Sequence, residues 1–188
     1  MIKQLATSIA ITSSLLLSGC GINQPTPEMK YHLLDHRAKA LNHRLPTEKI
    51  AVNKVVLADY LTQPNLVMRV ADNRLDLASY HSWAEPLDAA IQRILIDELN
   101  QAQLDFGFVE RCRDCTKVNL YVDHFYPDQA GNVVLSGRFT IDKAGEAPIV
   151  EYFAFSQEQS AEGYSESVKV MNELLEQMTE KVKQVIVQ

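Results

Sequence analysis

Cys112, Arg113, Asp114 and Cys115 form a C-x2-C pair, the spacing used both by redox-active thiols and by half of a zinc site. Redox catalysis needs a helix N-terminus behind the first cysteine to depress its pKa. Thr116 to Val122 alternates like a strand instead, so a structural disulfide is the favoured reading, closing a four-residue loop at a gain of about 2 kcal/mol. Zinc would need two further ligands, and no second C-x2-C or H-x3-H lies in suitable register. His32 and His36 stand four apart with His43 seven further on, a spacing that could present two ligands on a helix. Tyr31 to Leu34 could equally be a first strand, and histidines on a surface are the ordinary case. There is no G-x-S-x-G and no phosphate-cradling glycine loop. The expectation is a protein that is not an enzyme, with no cofactor and no metal.

The elements around these residues follow from periodicity. Ile50 to Asp59 reads as a strand buried on both faces. Leu66 to Val70, a turn at Asp72-Asn73 and Arg74 to Leu77 read as a hairpin. Between Pro86 and Leu104, Leu87, Ile91, Ile94, Leu95 and Leu99 share one face of a helix, with Pro86 suited to the first helical position and Asp88 to the first turn. Val118 to Val122, Val133 to Ile141 and Ile149 to Phe155 have period two, and the breaks at Asp128 to Asn132 and Asp142 to Pro148 suit tight reversals, which predicts an antiparallel meander. The last helix carries Val168, Met171, Leu174, Leu175, Met178, Val182, Val185 and Ile186 on one face, with Ser165 as its N-cap. The expected fold is α+β: two layers, a mixed or antiparallel sheet with both helices packed on one face.

The chain of 188 residues is 46% hydrophobic, enough for one domain with a core. Its formal charge is -6, and its Lys and Arg are scattered apart from a thin sprinkling at Lys30, Arg37, Lys39 and Arg44. A phosphate-neutralising nucleic-acid surface is therefore not expected. Aromatics such as Phe106, Tyr121, Tyr152 and Phe155 gather around the meander, and alternation sends some of them outward.

The N-terminus reads as an export signal. Lys3 is followed by an uncharged run, Leu5 to Leu17, too short for the roughly 20 apolar residues of a bilayer span. It ends in Leu17-Ser18-Gly19-Cys20, which resembles the lipobox of bacterial lipoproteins. The resemblance implies cleavage between Gly19 and Cys20, diacylglycerol on the Cys20 thiol and a further acyl chain on its amine, an attachment far firmer than a single chain gives. Gly21, where an Asp would favour retention at the inner membrane, points to the periplasmic face of the outer membrane. The expected organisation is a signal peptide over residues 1–19, a lipidated cysteine and proline-bearing tether over 20–29, and one domain over 30–188.

Val56-Leu57-Ala58-Asp59-Tyr60-Leu61, then Pro64, Arg69, and Trp83-Ala84-Glu85-Pro86-Leu87 with the helix behind it, resembles the PqiC family of ABC-type transport auxiliary lipoproteins. The resemblance implies a non-catalytic outer-membrane lipoprotein that works with an inner-membrane-anchored MCE-domain protein in intermembrane lipid transport, and, further, a ring-shaped homo-oligomer. Trp83 and Leu87 also suit a staple between helix and sheet, with Glu85 as a cap. The alternatives are a stand-alone lipid carrier with an apolar cavity between sheet and helices, and a periplasmic thiol oxidoreductase using Cys112 and Cys115.

Overall fold

A computed structural model describes residues 27–35, 48–102 and 104–187. The signal segment, Gly19, Cys20, His36 and His43 lie outside the described residues.

Strand β1 (Lys30–His32) precedes β2 (Glu48–Leu57), a 3-10 turn (Asp59–Thr62), the hairpin β3 (Asn65–Ala71) and β4 (Arg74–Trp83), and helix α1 (Leu87–Gln101). Then come β5 (Phe106–Val109), the meander β6 (Thr116–Pro127), β7 (Asn132–Asp142) and β8 (Ile149–Glu158), and helix α2 (Tyr164–Val187). The α+β class is as expected, but the strands divide between two sheets where one was expected: β1-β4-β3 and β5-β2-β6-β7-β8. The hairpin forms its own sheet because β4 runs on to Trp83, well past Leu77, and its last residues take β1 as a parallel partner.

In the larger sheet β2 lies between β5 and β6, parallel to both. Flanked on both edges, β2 buries Ile50, Ala51 and Val52 in succession, but Lys54 and Val56 farther along are exposed, so the strand is not buried on both faces over its whole length as expected. Strand β7 alternates instead: Val133, Leu135, Gly137, Phe139 and Ile141 are buried, and the residues between them are half-buried. Both helices cover that buried side, α1 against β2 and β5, α2 against β6, β7 and β8, and the helices touch each other. Leu95, Leu99 and Leu174 have no exposed surface; each such side chain contributes roughly 2 kcal/mol through the water it no longer meets.

Gly137 sits in the buried row of β7, where a Cβ would lie 2.0 Å from the Tyr121 carbonyl oxygen. The sheet closes this tightly because the pairing of β6 with β7 shifts between Val122 and His124, a bulge that bends β6 over β7.

Helix starts differ from expectation in detail. Pro86 is the N-cap of α1 and not its first helical residue, with its carbonyl accepting from the Ala90 N–H at 3.0 Å. The last helix begins at Tyr164, so Ser165 lies inside it; the Gly163 carbonyl takes the N–H groups of Glu166 and Ser167 at 3.1 Å, on a backbone of φ 110° that favours glycine. Among the described residues no helix is long and apolar enough to cross a membrane.

Candidate functional site

The 3-10 turn divides two concave surfaces, and the family-motif residues are shared between them. Leu61, in the turn, is buried and anchors it, while its N–H donates to the Ala58 carbonyl at 2.8 Å and Thr62 Oγ1 donates to the Asp59 carbonyl at 2.7 Å. These bonds tighten the chain as it leaves β2 and set Pro64 against the end of β4. There the Trp83 N–H donates to the Pro64 carbonyl at 2.7 Å, and the Asn65 side-chain amide donates to the Ala78 carbonyl at 2.9 Å.

On one side of the turn is a cleft of about 560 Å3. Its floor is the end of β2 (Val55, Val56 and Leu57), and its walls are Thr62, Gln63 and Pro64 on one flank and Trp83 to Asp88 on the other. Pro64, Trp83, Glu85, Pro86 and Leu87 thus come from two separate segments to line one depression. Its lining is largely apolar and includes two acidic residues, exposed Asp88 and Glu85, the latter paired within the chain.

Trp83 is largely buried and Leu87 is buried, as a staple requires. Glu85 does not cap the helix: its carboxylate takes Arg93, in the second turn of α1, at 2.5 Å, and no side chain bonds the N-cap. The same guanidinium reaches the Leu34 carbonyl at 3.4 Å, so Arg93 ties the N-terminal segment to the rim of the cleft.

On the other side lies a cavity of about 470 Å3 that takes Tyr60 and Arg69. The Tyr60 hydroxyl donates its one hydrogen to the Asp123 carbonyl at 2.5 Å and also lies 2.9 Å from His124 Nδ1. Since the phenol has no second hydrogen, Nδ1 must carry the proton and donate to the phenol oxygen. Burial first, then Tyr126 and Asp123, pushes the Tyr60 phenol well above its usual range. The hydroxyl therefore stays protonated and serves as a fastener between the turn and β6.

Cys112 and Cys115 lie between β5 and β6, bonded, with Cα atoms 6.0 Å apart. Strand β6, and no helix, follows them. His32 is on β1, as the strand alternative required, and partners His81 at 2.8 Å. Among the described residues no three His, Cys, Asp or Glu side chains gather as a metal site. Sequence reasoning missed His124, whose only signal was its place in a strand that pairs at long range.

Outward aromatics are real on the far side of the meander. Tyr152 keeps 69% of its surface exposed, and Arg138 stacks over Tyr121 at 4.4 Å. Phe125, Phe139 and Phe153 are core.

Residues 31–183 match the family described as ABC-type transport auxiliary lipoprotein component. The chain is 29% identical over 124 residues to a protein named intermembrane transport lipoprotein PqiC from Escherichia coli (strain K12), and equally to its namesake from Shigella flexneri. Those matches cover 64% of this chain and 65% of each relative, so the chain spans just under two thirds of the relatives' length. Among solved structures, a crystal structure of an uncharacterized protein superposes with a TM-score of 0.76 at 24% identity, covering 85% of this chain and 99% of that one. A Xanthomonas campestris protein superposes at 0.64 and 14% identity, covering 84% and 92%. At these identities both establish the fold alone.

Proposed function

The chain belongs to the ABC-type transport auxiliary lipoprotein family, and from that premise we propose that it is the outer-membrane-anchored, non-catalytic auxiliary subunit of an intermembrane lipid transport system, docking an MCE-domain protein held at the inner membrane. Acylated Cys20 would fix the domain to the periplasmic face of the outer membrane, with residues 20–29 as its tether and residues 30–188 as its single folded domain. Self-assembly into a ring fits the same role, since a partner that conducts lipid needs a surrounding contact. Loss of the protein would then weaken the envelope.

The observation that carries the docking reading is the convergence of Pro64, Trp83, Glu85, Pro86 and Leu87 on one open cleft. A purely structural staple needs Trp83 and Leu87 buried; it does not need Glu85 and Asp88 on an accessible rim. Exposed apolar surface with a charged border is the character of a protein-binding depression. The test is co-purification of the full chain, in non-ionic detergent, with the periplasmic region of the MCE protein, read by mass in solution. A stable complex is expected. A monomer that ignores the MCE region and carries one extractable lipid per chain would favour the carrier reading instead.

A further inference from the structure

We propose that the cavity between the 3-10 turn, the β3–β4 hairpin tip and the end of β6 binds a phosphate group, as the free ion or as the head of an ester. Its polar lining is Tyr60, Arg69, Asn73, Arg74, His124 and Tyr126. No carboxylate side chain is among the lining residues, in a chain with 24 acidic residues against 18 basic ones. Two guanidiniums in a lining without carboxylates, their partners Asp72 and Asp76 lying outside it, are what an anion favours.

Both arginines have donors to spare. Arg69 meets Asp72 through one terminal nitrogen at 3.0 Å, and the Asp72 side chain is 97% exposed. Arg74 reaches Asp76 only through Nε, at 3.7 Å, with both side chains more than half exposed. Exposed single contacts of this kind are weak and screened, and they leave most of each five-donor fork open. Paired N–H groups on two guanidiniums match the several oxygens of a tetrahedral phosphate better than the two of a carboxylate. Asn73, held at φ 60° in the hairpin turn, brings an amide to the same rim.

The far wall is pre-set. Tyr60 takes the Nδ1 proton of His124 as an acceptor, which fixes that ring against the turn. The hairpin tip is held against β6 by the Gln129 N–H, which donates to the Arg69 carbonyl at 3.1 Å. About 470 Å3 leaves room for the substituent of an ester as well as for the phosphate itself. The proposal deepens the transport reading by giving the charged end of a carried lipid a place to touch the chain, and it rests on that reading for the lipid alone.

Calorimetric titration of the full chain in non-ionic detergent tests it, with glycerophosphoglycerol as the diester headgroup, inorganic phosphate as the free anion and glycerol as the uncharged control. One saturable site for a phosphate species is expected, weakened at least tenfold by Arg74→Gln and by added salt, with no response to glycerol. Arg74 lies exposed at the hairpin tip, so that variant should fold, and an unchanged thermal midpoint checks it. Preference for the diester assigns a lipid headgroup; preference for inorganic phosphate assigns the free ion to the same site. Absence of saturable binding by either, or binding unchanged in Arg74→Gln, overturns the proposal. Complex formation with the MCE region is read separately, so either reading can fail alone.

Discussion

His32 and His81 share one hydrogen bond, Nε2 to Nδ1 at 2.8 Å, across 49 residues of sequence. Their rings stack at 5.1 Å, and His81 packs on Tyr164 at 4.1 Å, so the contact links β1, β4 and the first residue of α2. Two protonated imidazoles cannot make this bond, because neither has an acceptor. Burial lowers the pKa of both; the neighbouring His81 and then Lys30 add to it at His32, and Lys30 at His81.

The sign follows by linkage. Between the lowered folded values and the ordinary value of 6.5, the unfolded chain binds more protons than the folded one, so stability rises with pH there. The pair's contribution is whole above about pH 6.5 and is lost as pH falls below it. Denaturant midpoints at pH 7.5 and 5.0 should differ more in the wild type than in His81→Gln. Equal pH dependence in the two would remove the pair from the account.

Gly137→Ala should destabilise the domain by roughly 3 kcal/mol, since the added Cβ meets a backbone carbonyl that no rotamer change can move. Urea unfolding measures it. A loss below about 1 kcal/mol would mean that β6 can bend away from β7 at little cost.

Glu85→Gln should cost less than about 1 kcal/mol, because the Arg93 pair is partly exposed. Docking of the MCE region should nonetheless weaken, read by titration with the variant. Trp83→Ala, by contrast, should cost about 3–5 kcal/mol through lost packing, whatever its effect on docking. Full docking by Glu85→Gln would take the acidic rim out of the interface.

Replacing both Cys112 and Cys115 by Ser should lower stability by about 2 kcal/mol and leave envelope function intact. Loss of function with the fold preserved would instead point to redox chemistry in the C-x2-C loop.

The local elements were legible because their signals are local. Leu87, Ile91, Ile94, Leu95 and Leu99 declare α1, and the Gly and Pro residues near 128–132 and 142–148 mark the reversals of the meander. Membership of the hairpin in a second sheet was not legible, since it depends on β1 pairing with β4 fifty residues away, and parallel pairing leaves no turn between its strands. The role of Glu85 was misread for a related reason: an acidic residue just before a helix suits a cap, but here Arg93, eight residues on, holds it. The family motif could not show that its residues part into two cavities, because only the fold of the 3-10 turn puts Tyr60 on one side and Pro64 on the other.

Intact-mass measurement of the protein made in a bacterial envelope tests the central claim most directly. The account predicts a chain beginning at Cys20 and heavier than its residues by a diacylglyceryl group and a further acyl chain. A bare Cys20 thiol, or a chain still carrying residues 1–19, would contradict it.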